Sequence, residues 1–103
     1  MKPVNLAKDL QDWDKTIISP LRFTIMTLIN EADAIGFADI RHATETTPQA
    51  LSKQVTILEN AGYLTVSKIA RGRRVLTEIS ITKQGKEVFT RQLTILRQIT
   101  RTP

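Results

Sequence analysis

Six side chains near the middle of the chain share one kind of chemistry. Thr46, Thr47, Gln49, Ser52, Lys53 and Thr56 are hydrogen-bonding residues, and the last four recur at spacings of three and one and three. On a helix those four face outward together, opposite Leu51, Val55 and Leu58. A Gln amide can pair with adenine through two bonds. Ser and Thr hydroxyls can bond bases or phosphates, and a Lys can serve guanine or phosphate. A helix N-terminus also favours a phosphate. A second cluster, Lys68, Arg71, Arg73 and Arg74, surrounds Gly72. Arginines there could span phosphates or enter a narrow minor groove, adding affinity with little base information. Arg41, beside the only histidine, His42, is a further phosphate candidate. Each set also suits a blander role. Thr, Gln, Ser and Lys decorate any solvated helix face, and charged hairpin tips are common. Arg74 could instead turn back to Glu78 or Glu59.

Other chemistry is poorly supplied. There is no cysteine, so disulfides, thiolate zinc sites and cysteine catalysis are excluded. One lone His without paired carboxylates makes no metal site. Ser and Thr lack a His base with an orienting acid, and no phosphate-binding or dinucleotide glycine loop occurs. The sequence therefore predicts no enzyme, no metal and no cofactor.

The elements that must hold these residues follow from periodicity. Leu6, Leu10, Trp13 and Ile17 form one apolar stripe of an N-terminal helix. Ser19–Pro20 reads as an N-cap with a first-turn proline, opening a helix to about Glu31. Its inner face is Leu21, Ile25, Leu28 and Ile29, widened by Phe23 and Met26. Asp33 to Gly36 reads as a turn and Phe37 as a short extended entry. A brief helix over 38–44 would turn Ile40 and Ala43 inward, and Glu45–Thr46 would be a turn. Thr47–Pro48 is a second cap-and-proline pair, and its helix should stop at Gly62. Tyr63 to Ala70 reads as a strand. Val75, Thr77, Ile79 and Ile81 alternate as the inner face of its hairpin partner. Thr82 caps a last helix with the stripe Val88, Phe89, Leu93, Leu96 and Ile99, and Gly85 in its first turn predicts close packing.

The 103 residues fit one domain, 1–103, with helical dimerisation elements at about 1–18 and 83–101. The net charge is +5 and the pI about 10.0. Residues 1–40 carry a net of −2, residues 41–75 a net of +4 and residues 76–103 a net of +3. The positive charge thus sits on the middle and the end of the chain, as expected if one face meets phosphates. No apolar run can cross a bilayer and no leader follows Met1, which predicts a cytoplasmic protein without a membrane partner.

The order helix, helix, helix, hairpin, helix gives a mainly α (α+β) fold, a winged helix-turn-helix with a two-stranded β-hairpin wing and terminal dimerisation helices. Ser19–Pro20–Leu21–Arg22–Phe23–Thr24–Ile25 resembles the opening helix of small MarR/ArsR-like winged-helix transcriptional regulators. Leu51–Ser52–Lys53–Gln54–Val55 and Leu58–Glu59–Asn60–Ala61–Gly62–Tyr63–Leu64 resemble their recognition helix and first wing strand. Gly72–Arg73–Arg74, Thr77, Ile79, Ile81–Thr82 and Gly85–Lys86 resemble the rest of the wing and the start of the last helix. Gln54 and Val75 stand where that pattern has His and Pro. The resemblance implies a homodimer binding double-stranded operator DNA, often as a repressor. Leu6, Leu10, Trp13, Leu93, Leu96 and Ile99 are the expected dimer contacts. A small effector could lodge near Trp13 or Phe23, although no polar constellation marks such a site. The alternative is a winged-helix protein-interaction module without specific DNA binding.

Overall fold

A computed structural model describes residues 6–101 of the protein. In chain order the elements are α1 (Leu6–Gln11), α2 (Pro20–Ala32), β1 (Ala34–Gly36), α3 (Phe37–Thr44), α4 (Pro48–Asn60), β2 (Leu64–Arg71), β3 (Arg74–Ile81) and α5 (Lys83–Thr100). The expected order holds, with one strand added. The sheet is antiparallel, in the order β1-β3-β2.

One apolar core joins the elements. Ile25, Met26 and Ile29 of α2 meet Ile40 of α3, Leu51, Val55 and Leu58 of α4, Leu64 and Ile79 of the sheet, and Val88 and Phe89 of α5. Phe23 and Phe89 stack at a tilt, with ring centroids 5.4 Å apart. Full burial of a side chain such as Leu51 or Leu58 contributes roughly 1.5–3 kcal/mol. The i, i+4, i+7 stripe therefore seats α4 on the core and leaves its other face outward.

Helix ends follow local chemistry. The Thr47 hydroxyl accepts from the Ala50 amide at 3.1 Å, and Thr82 does the same for Gly85 at 2.9 Å. Ser19 stands at the N-cap position of α2, but its side chain makes no capping bond. Gly85 is buried, and a Cβ there would lie 2.1 Å from the Tyr63 carbonyl oxygen. The expected close packing is therefore real: α5 starts almost in contact with the backbone that leaves α4.

The structure corrects several expectations. The N-terminal stripe is not one helix. Helix α1 ends at Gln11, because the Asp14 carboxylate takes the Thr16 and Ile17 amides at 2.8 and 3.1 Å and turns the chain. Ile17 thereby drops into the core, while Leu6 and Leu10 remain 39% and 66% exposed. The part of that expectation on residues 1–5 lies outside the described residues. Asp33 to Gly36 is not a plain turn. Asp33 ends α2 at φ 62°, and Ala34–Gly36 pairs with β3 as a third strand, so the sheet exceeds a two-stranded hairpin. Helix α3 already begins at Phe37, and Ala43 faces out while Ile40 is buried. On β3 only the lower part of the inner face is covered. Ile79 is fully buried but Val75 is 68% exposed, because the hairpin runs past the end of its support. In α5 the covered stripe is Val88, Phe89, Gln92 and Ile95, and Leu93 packs half-buried against the core. Among the described residues no helix is long and apolar enough to cross a membrane, and no group of His, Asp or Glu could hold a metal ion.

Candidate nucleic-acid interface

Helix α4 presents Gln49, Ser52, Lys53 and Thr56 on its solvent side, all exposed, directly opposite the buried Leu51, Val55 and Leu58. Thr47, at the cap, is exposed as well. Thr46 is half-buried, and its hydroxyl lies 2.9 Å from that of Thr44. That contact ties the inter-helix turn to the end of α3. Glu45, the C-cap of α3, takes a left-handed conformation at φ 51°, which sends the chain sharply into α4. Arg41 is half-buried on α3, and its carbonyl accepts from Thr46 at 3.3 Å. His42 beside it is exposed.

The wing is the β2–β3 hairpin. Arg71 pairs with Arg74 across it, leaving Gly72 and Arg73 as the two-residue turn. Gly72 has φ 62°, a conformation that glycine adopts without steric penalty. The register divides the basic cluster. Val66/Ile79, Lys68/Thr77 and Ala70/Val75 are direct partners and share the face toward α4. Lys68 donates to Thr77 at 2.7 Å there. Arg71 and Arg74 are one residue out of step and lie on the opposite face. Like charges directly opposite each other are unfavourable. All three arginines are exposed, and among the described residues none of them makes an ion pair, Arg74 with Glu59 or Glu78 included.

Helix and wing enclose a groove of about 570 Å³, lined in part by Ser52, Thr56, Glu59, Lys68 and Thr77. The structure thus brings Ser52, Thr56 and Lys68 to one groove. Gln49 and Lys53 stand on the same exposed side of α4, and the three arginines at the hairpin's far end. Trp13, Phe23 and Leu96 come together elsewhere, in a crevice of about 210 Å³ with Ile18, Pro20 and Gln92. Leu96 and Ile99 are half-buried on the far part of α5.

Sequence reasoning missed a set of polar ties behind α4. Arg22 donates through Nε to the Thr16 carbonyl and through Nη1 to Gln54 Oε1, the latter at 2.6 Å. The Tyr63 hydroxyl donates to Asp14, whose own amide donates to Gln92 Oε1 at 2.9 Å. Burial pushes the Tyr63 hydroxyl up to about 12, the bond to Asp14 and its charge add to this, and Arg91 opposes it. The one advance signal was Gln54, where the resembling pattern has His.

Residues 21–100 match the family profile of the winged helix DNA-binding domain. No curated protein matches the chain. Among solved structures, a transcriptional regulator homologue from Pyrococcus horikoshii OT3 is similar at 24% identity, covering 90% of this chain and 94% of that one, with a TM-score of 0.84. The YusO protein from Bacillus subtilis is similar at 18% identity, over 92% of this chain and 64% of its own, with a TM-score of 0.75. NadR, solved with 4-hydroxyphenylacetate, is similar at 18% identity, over 91% and 64%, with a TM-score of 0.68. The chain thus spans about two thirds of the length of the last two. These likenesses are of fold.

Proposed function

We propose that this chain, which belongs to the family of winged helix DNA-binding domains, is a sequence-specific transcriptional regulator that binds double-stranded DNA as a homodimer and acts as a repressor. The observation that carries the reading is the division of α4 into a buried apolar face and an exposed face of Gln49, Ser52, Lys53 and Thr56, next to a wing whose three arginines pair with no carboxylate among the described residues. Gln49 and Lys53 read base edges in the major groove. Ser52, Thr56, Thr46 and Thr47 bond bases or phosphates around them. Lys68, Arg71, Arg73, Arg74 and Arg41 neutralise phosphates and supply most of the affinity.

The dimer has separate support. Leu6 and Leu10 are exposed, and Leu96 and Ile99 are only half-covered. A second subunit would cover them and set two recognition helices about one DNA turn apart. Repression would then follow from occupying the operator. A small effector would lodge in the Trp13–Phe23 crevice.

The test is selection of random duplexes by the purified protein, followed by titration from low to high salt. Enrichment of a palindrome is expected. Replacing Arg71 and Arg73 by Ala should weaken binding to every duplex and reduce the salt slope by about 2, at about 0.9 per phosphate contact. Replacing Gln49 or Lys53 should change the selected sequence. Unchanged affinity in the arginine double variant refutes the wing role. Absence of any salt-dependent duplex binding by the wild type points instead to a protein-docking module.

A further inference from the structure

Apolar packing is non-directional. The Leu51–Val55–Leu58 stripe holds α4 against the core by burial. Hydrogen bonds fix distance and angle. One of them meets the recognition helix itself and a second meets the chain three residues past its C-terminus, and both reach back toward the 12–18 stretch between α1 and α2. The first is the Arg22 guanidinium, which bridges the Thr16 carbonyl and Gln54 Oε1. The second is Asp14, which takes the Tyr63 hydroxyl just beyond the C-terminus of α4. Gln54 and Asn60, the last residue of α4, are about 9 Å apart along the helix axis. Gln54 is thus held within α4 and Tyr63 just past its end, so the helix is tied near two points along its length.

The same segment is tied to α5. The Asp14 amide donates to Gln92 Oε1, and Gln92 is only 1% exposed. Its amide nitrogen is buried and, among the described residues, has no hydrogen-bond partner. An unmet buried donor is unfavourable, so Gln92 is a poor choice for packing alone. Its described bond is the one it accepts from Asp14.

We infer that Arg22, Asp14 and Tyr63 are positioning residues for DNA recognition: they clamp α4 to the 12–18 segment and, through Gln92, to α5, so that the orientation of the base-reading face is set from the dimerisation side of the molecule. This rests on the sequence-specific reading of α4 proposed above. Gln54 on this account is held by Arg22 and does not read bases. The clamp also gives a displacement of α5 or of the 12–18 segment a rigid route to the recognition helix.

The experiment compares the full chain with Gln54→Ala, Tyr63→Phe and Gln54→Glu. Each is tested on the duplex selected by the wild type and on a random duplex, at a temperature where circular dichroism shows all four folded. Loss of one charge-assisted bond should lower the ratio of specific to random affinity about tenfold in Gln54→Ala, with random-duplex affinity and salt slope unchanged. Tyr63→Phe should lower the ratio in the same sense. Gln54→Glu, which keeps an acceptor for Arg22, should retain it. Variants that lose thermal stability but keep the wild-type ratio overturn the proposal, leaving the bonds as ordinary fold stabilisers. Failure of Gln54→Glu to retain the ratio, alongside a loss in Gln54→Ala, overturns it too, because Gln54 would then be contacting DNA itself. A wild type that selects no duplex would defeat the recognition reading instead.

Discussion

Gly85→Ala separates two reasons for a glycine. In a helix interior, Gly→Ala normally stabilises by about 1 kcal/mol. At Gly85 the added Cβ would sit 2.1 Å from the Tyr63 carbonyl oxygen, 2.9 Å from its carbon and 3.0 Å from Ile81 Cγ1. The obstacle is backbone, so no side chain can swing away. The start of α5 must retreat by roughly an ångström to restore van der Waals distance. That movement strains two bonds at the same junction, Thr82 N to Tyr63 O at 3.0 Å and Thr82 Oγ1 to Gly62 O at 2.7 Å. Overpacking costs roughly 1–3 kcal/mol and each weakened bond about 1 kcal/mol, offset by the helix preference for Ala. The net expectation is a loss of about 2–4 kcal/mol, or roughly 10–30 °C in Tm for a domain of this size. Urea and thermal unfolding by circular dichroism, at one fixed protein concentration so that self-association is held constant, measure it. Gly72→Ala is the matched control. It has no heavy atom within 4 Å of the new Cβ but a φ of 62°, so it should lose only about 1 kcal/mol through backbone strain. A Gly85→Ala protein as stable as wild type, or less affected than Gly72→Ala, refutes the steric account.

The caps should differ in kind. Thr47→Ala removes one capping bond and should cost about 1 kcal/mol, whereas Thr82→Ala also loses the donation to the Gly62 carbonyl and should cost about 1 kcal/mol more; equal losses in urea melts would contradict the dual role. For Tyr63, the native state keeps the hydroxyl proton up to about pH 12 while the unfolded chain releases it near 10. Its contribution is therefore whole below pH 10 and declines as pH rises toward 12. The stability gap between wild type and Tyr63→Phe should narrow across that window, and a constant gap would show that the Tyr63–Asp14 bond does not couple to titration.

Helix α4 is legible in the sequence from end to end, because each of its boundaries is decided by neighbours a few residues away. Thr47 caps it, Pro48 opens it, Gly62 reverses the chain at φ 86°, and a single stripe says which face is buried. The N-terminal stripe has equally good periodicity and misleads, since Asp14 outcompetes the helix for the Thr16 and Ile17 amides. Periodicity counts apolar side chains but not a polar one that captures backbone. Val75 fails for a different reason. Alternation reports which residues share a face, and only the length of the supporting helix determines how far along the strand that face is covered. Strand β1 offers just three residues, Ala34–Gly36, and its existence depends on β3 being beside it. The ties at Gln54, Tyr63 and Gln92 lie furthest out of reach, joining residues 32, 49 and 78 positions apart. Arg22, Asp14 and Gln92 are unremarkable polar residues until the fold places them together. The chemistry that would touch DNA is therefore written locally, on one helix face and one hairpin tip, whereas the aim of that face is set by directional bonds that only the folded chain can make. A recognition helix with the same outward residues grafted onto another winged helix should accordingly keep its basic contacts and lose part of its discrimination.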